Sequence, residues 1–185
     1  MVSTAYCPTP TASEATKQLP KWIKEISLME LIKFFEGYSE TAYQDTGGVW
    51  TIGYGSTKGV KEGDKITLEQ ANELLKKDLI DAEMRVKNAT QNIILTTNEY
   101  QALVSLAYNL RSFEKLASYL PDRELFKKKI LLYCNDIKGN PLKGLKIRRI
   151  CERLLFEGKE WRGIAKEMQR SNLVYIREQE KELFV

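Results

Sequence analysis

Two carboxylates and a hydroxyl lie close together in the first third of the chain. Glu36 is followed after eight residues by Asp45, and after five more by Thr51. Hydrolysis of a glycosidic bond needs an acid to protonate the leaving oxygen and a carboxylate to direct water or act as nucleophile. Apolar neighbours penalise a charged carboxyl, so Phe34 and Phe35 suit Glu36 to keep its proton near neutrality. Asp45 precedes Thr46-Gly47-Gly48, a polar turn whose backbone amides suit an ionised partner. Thr51 could hold the attacking water from an adjoining strand. A separation of about 6.5–9.5 Å between the carboxyls would make the reaction inverting, and about 5–5.5 Å retaining. Taken singly, each residue has an ordinary explanation. A glutamate at a helix end is usually solvated, an Asp before Thr-Gly-Gly forms an Asx turn, and a strand threonine serves β-propensity. Their joint spacing is what points to chemistry.

The elements that must position these groups are legible nearby. Ser27-Leu28-Met29-Glu30 has the form of a capping box and predicts a helix start. Leu28, Leu31, Ile32 and Phe35 then fall on one face, and Gly37 predicts the stop. From Tyr43 to Ile66 the helical period gives way to glycine-punctuated runs of Val, Trp, Thr, Ile and Tyr, predicting a small antiparallel sheet. Thr67-Leu68-Glu69-Gln70 and Thr96-Thr97-Asn98-Glu99 are further capping boxes. The first opens a long helix with Ala71, Leu74, Leu75, Leu79, Ala82 and Val86 on one side. The second opens a helix apolar nearly all round, as a central buried helix is. Shorter helices are predicted after Ser112, after Pro121 and from Leu145 to Phe156, and two amphipathic segments follow Gly158.

At 185 residues the chain can bury a sizeable core. It has no histidine, which excludes a Ser-His-Asp or Cys-His unit and argues against zinc. Cys7, Cys134 and Cys151 fit no metal spacing and are read as reduced thiols. Residues 1–20 lack the charge and apolar core of a secretory signal and read as a flexible arm. No apolar run reaches the length of a membrane span. Residues 111–170 hold 16 Lys/Arg against 8 Asp/Glu, a local +8 within a chain of net charge +4. Such a lobe suits an anionic polymer, or is simply a solvated helical surface.

The Glu36, Asp45 and Thr51 spacing, with FEG at 35–37, AYQD at 42–45 and WTIGYGST at 50–57, resembles the phage-type lysozymes (glycoside hydrolase family 24). GVKEGDKIT at 59–67, LTTNEYQALVSLAYN at 95–109 and GLKIRR with Glu152 at 144–152 extend the resemblance over about residues 27–157. It implies an α+β, mostly helical lysozyme-like fold, with a small antiparallel β-sheet lobe and a larger helical lobe about a cleft. It implies a muramidase cutting the β-1,4 bond between N-acetylmuramic acid and N-acetylglucosamine in peptidoglycan, leading to cell lysis. Glu36 would be the general acid, and Asp45 and Thr51 would position water, with inversion at the sugar carbon. Thr57, Tyr108 and Asn109 become substrate-contact candidates, although Tyr108 also reads as core. No cofactor or metal is implied.

On this reading residues 21–157 form the catalytic domain, 1–20 an arm and 158–185 a helical extension beyond the usual family end. The departures are Ser56, where many relatives carry histidine, Arg111, where a glycine is common, and a loose match over 112–143. Arg148 and Arg149 are either a solvated helix face or, on the strength of the GLKIRR match, the source of one cation that closes against Glu36. The expected protein is a monomer with peptidoglycan as partner, without nucleic acid or stable membrane insertion. It would be made in the host cytoplasm and reach the wall through a holin or similar pore. The alternative is a lysozyme-like wall-binding protein without turnover.

Overall fold

The computed structural model describes residues 21–45, 47–135 and 139–170, with side chains described from Leu28 onward. Helix α1 (Lys21–Glu36) leads into a hairpin of β1 (Ser39–Gln44) and β2 (Trp50–Gly53). Six helices follow: α2 (Leu68–Ala89), α3 (Thr97–Asn109), α4 (Phe113–Ala117), α5 (Arg123–Ile130), α6 (Lys143–Phe156) and α7 (Arg162–Arg170). This is the mostly helical arrangement with a small antiparallel sheet that the sequence predicts, and the sheet has two strands.

Two boundaries differ from expectation. Helix α1 begins six residues before Ser27, so the Ser27–Glu30 pattern lies inside a helix and not at its start. Between Pro20 and Gly37 no residue type breaks the helix, and a capping motif works only where the backbone before it is already extended. The sheet also starts earlier, at Ser39 rather than Tyr43. Tyr43 pairs with Thr51 and Gln44 with Trp50, and an irregularity separates these pairs from Ser39 and Gly53. Bridges from Thr41 to Lys65 and Ile52 to Ser56 extend the small lobe.

The other two capping boxes form as written. Thr67 accepts the Gln70 amide while Gln70 returns to the Thr67 amide, and Thr96 and Glu99 do the same. Helix α2 buries Ala71, Leu75, Leu79, Ala82 and Val86. Helix α3 runs through the middle, buried at every residue from Gln101 to Ala107, and packs against α1, α2 and α6. Its carboxyl end is tied down by Arg85 of α2, which donates to the Ala107 carbonyl at 2.5 Å and the Arg111 carbonyl at 3.1 Å, and pairs with Glu114. The Ala107 carbonyl, which the helix leaves open, is thereby satisfied. Beyond α6, Trp161, Ala165 and Met168 bring α7 into the same core.

Candidate active site

Glu36 is the last residue of α1, and Gly37 ends the helix in the left-handed region at φ +72°. The chain then enters β1, and β2 returns it to a tight turn in which Ile52 and Ser56 exchange backbone hydrogen bonds. Gly55 lies at that turn with φ +99°. A Cβ there would sit 3.8 Å from Glu36 Oε2 and 4.0 Å from the Tyr108 hydroxyl, so the hairpin backbone comes up directly beneath the carboxylate. Glu36 is partly buried, with 23% of its side chain exposed.

Its other oxygen, Oε1, accepts a 2.6 Å hydrogen bond from Arg148 Nη1 of α6. Arg148 lies over the Phe35 ring, 5.7 Å from its centre, close enough for a cation–π contact. Arg148 and Arg149 are 3% and 0% exposed, which overturns their reading as a solvated face and selects Arg148 as the cation at Glu36. The face of α6 carrying them is turned inward against α3, where Glu152 balances their charge. Burial works against the charge on Arg148, but Glu152 and Glu36 outweigh it and its proton is held more tightly than usual. For Arg149 burial prevails over Glu152 and the shift is downward.

At the other end of the hairpin, Asp45 forms the turn expected of it. Its Oδ1 accepts from the backbone amides of Gly47 at 2.8 Å and Val49 at 2.9 Å. The side chain is exposed. Thr51 is buried in β2, and its hydroxyl donates to the Val49 carbonyl at 3.0 Å. Among the described residues no cluster of three or more Cys, Asp or Glu side chains could hold a metal ion.

The family model described as phage lysozyme matches residues 33–152, from the last turn of α1 to Glu152 on α6. The chain belongs to the phage lysozyme family. An endolysin of Acyrthosiphon pisum secondary endosymbiont phage 1 is 36% identical over 137 residues, covering 69% of this chain and 92% of that one. A SAR-endolysin of Pseudomonas phage phiKMV is 44% identical over 75 residues, 40% of this chain and 46% of its own. Among solved structures, the muramidase domain of SpmX from Asticaccaulis excentricus superimposes with a TM-score of 0.65 at 32% identity, covering 70% of this chain and 94% of that one. Peptidoglycan hydrolysis is the chemistry of the phage lysozyme family.

Within this phage lysozyme fold the remaining predicted residues are distributed unevenly. Tyr108, near the end of α3, is partly buried and donates its hydroxyl to the Tyr54 carbonyl at 3.3 Å, so it ties the helical lobe to the hairpin. Burial first, and then the charges of Glu36 and Asp78, push its titration far up and keep it a donor. Asn109 is the last residue of α3, and its Oδ1 accepts from Arg149 Nη2 at 2.6 Å. Thr57 is exposed, just after the Gly55 turn. Two contacts were not read from the sequence. Ser56 donates to Asp78 Oδ2 at 2.5 Å, joining the hairpin to α2. Ser105 donates to Glu152 Oε1 at 2.7 Å inside the core. The signals were there: Ser105 is the one hydroxyl in the buried stretch from Gln101 to Ala107, and Arg148 and Arg149 stand four and three residues before Glu152, the ion-pair spacings of a helix.

Proposed function

We propose that the chain is a muramidase in which Glu36 is the general acid, and Asp45 and Thr51 orient the water, at the glycosidic bond between N-acetylmuramic acid and N-acetylglucosamine. The observation that carries this reading is the setting of Glu36. One oxygen is fixed by Arg148 and the other lies over a glycine turn, where a substrate oxygen meets no side chain from the backbone below. Asp45 and Thr51 follow in the hairpin, and Asp45 commits Oδ1 to the amides of Gly47 and Val49. Water delivered from the hairpin side while Glu36 protonates the leaving oxygen gives inversion at the sugar carbon. Thr57, Tyr108 and Asn109 are proposed to border the bound glycan, as a monomeric enzyme acting on a polymer requires.

The test is release of reducing sugar from purified peptidoglycan by the native protein and Glu36→Gln. Loss of general acid catalysis lowers the rate about 10²–10⁴-fold while folding is kept. Native protein that binds the wall and releases no sugar would establish the non-catalytic alternative. The anomer first formed, read by NMR, distinguishes inversion from retention. Among the described residues no helix is long and apolar enough to cross a membrane. A holin-type pore is the proposed route from the cytoplasm to the wall, with a signal-anchor-release route, suggested by the SAR-endolysin relative, as its competitor.

A further inference from the structure

Behind Glu36 stands a second carboxylate that the proposed reaction does not use. Glu152 is wholly buried on α6, one turn beyond Arg148. Its Oε1 accepts from Ser105 Oγ at 2.7 Å, Arg148 Nε at 3.2 Å and Arg149 Nη2 at 3.3 Å. Arg149 Nε lies 2.8 Å from Glu152 Oε2. Glu36, Arg148, Glu152 and Arg149 thus form one row of alternating charge, two of each sign.

We infer that Glu152 and Arg149 are positioning residues that set the proton balance of Glu36 through Arg148, without touching the substrate. A guanidinium 2.6 Å from a carboxylate favours its ionised form, which opposes the proton a general acid must carry. Glu152 occupies the Nε edge of that guanidinium, so the charge of Arg148 is shared between two carboxylates. In a water-poor interior such sharing is felt strongly. Arg149 acts in the opposite sense, because its charge offsets Glu152.

The other ionisable groups facing the row are few. Tyr108 of α3 and Cys151 of α6 both have their titrations pushed up, chiefly by burial, and stay neutral over the working range. Asp78 of α2 faces Tyr108 and is engaged by Ser56. Cys134, in the loop before α6, faces Arg149. From α1, Lys33 turns to the Tyr54 ring of the hairpin.

This inference rests on Glu36 as the acid, and its test separates the two. The pH–rate profile on purified peptidoglycan is measured for native protein, Glu152→Gln, Arg149→Gln and Glu152→Asp. In parallel the Glu36 carboxyl is titrated by carbon NMR, which needs no turnover. Glu152→Gln leaves two cations facing Glu36, so activity on the alkaline side is lost about one pH unit earlier. Arg149→Gln leaves two carboxylates with one cation, and the same limb moves to higher pH. Glu152→Asp keeps the charge and restores the native profile. Shifts of the same sign, or none, in both readouts overturn the inference. Should Glu152→Gln not fold, the Arg149→Gln shift decides. A Glu152 carboxyl found protonated at pH 7 in native protein also overturns it. If Glu36→Gln remains active while the NMR shifts keep opposite signs, the acid assignment fails and the charge coupling stands.

Discussion

Arg148 and Arg149 are neighbours in sequence with separate tasks. One guanidinium bridges Glu36 and Glu152, and the other bridges Glu152 and Asn109. Residue type allowed both to be surface charges, and only the inward turn of α6 decided otherwise. The next residue but one, Cys151, feels the same interior. Burial first, with the Glu152 charge adding to it, pushes its thiol up to about 12. Thiolate is the reactive form, so at pH 8 a thiol reagent should label the partly exposed Cys134 and spare Cys151 until the protein unfolds. Peptide mass spectrometry checks this, and labelling of Cys151 in native protein would mean that α6 opens. Cys7 lies outside the described residues.

At the scale of elements, the hairpin is too small to be stable alone and depends on what holds it to the helices. Ties between them include Tyr108 to the Tyr54 carbonyl, Ser56 to Asp78, Lys33 of α1 over the Tyr54 ring, and packing of Gly53 against Ala71 of α2. The Ser56 bond is short and has a carboxylate acceptor, the stronger class of hydrogen bond. Ser56→Ala should therefore lower unfolding free energy by about 1.5–3 kcal/mol in urea denaturation. An unchanged midpoint would show that solvent replaces the hydroxyl without loss. Activity should fall further than stability alone accounts for, because this bond holds the turn beneath Glu36. Element starts were readable where Thr67 and Thr96 follow extended backbone and their boxes close. The same pattern at Ser27 misled because nothing upstream of it stops the helix.

For the whole molecule, the core continues past the family match at residue 152 into α7. Trp161 is buried and meets Phe34 of α1 edge-on, with ring centres 6.0 Å apart, and Arg162 forms an ion pair with Glu30 of α1. Helix α7 therefore braces the helix that ends in Glu36. Trp161→Ala should cost about 3–5 kcal/mol and lower the midpoint of thermal unfolding. A midpoint within a degree of native would show that α7 is an appendage. The basic balance of residues 111–170 also changes meaning in three dimensions. Arg148 and Arg149 are interior, so their part of the excess charge does not face solvent or wall, and the partly buried Arg153 and Lys127 pair with Glu157.

The sequence by itself determined the order of elements, two of the three helix starts read from capping boxes, and the Gly37 stop. Those features are legible because hydrophobic period, capping chemistry and glycine turns are local properties written in adjacent residues. The family was legible through its resemblance in the Glu36, Asp45 and Thr51 spacing and the flanking motifs. The same spacing marked Glu36, Asp45 and Thr51 themselves. What only the tertiary structure decided was which arginine meets Glu36, that Ser105 and Glu152 stand behind it, and that Ser56 reaches Asp78. Those contacts join residues 22 to 112 positions apart, and pairings at such separations are fixed by how helices pack, which no local pattern encodes.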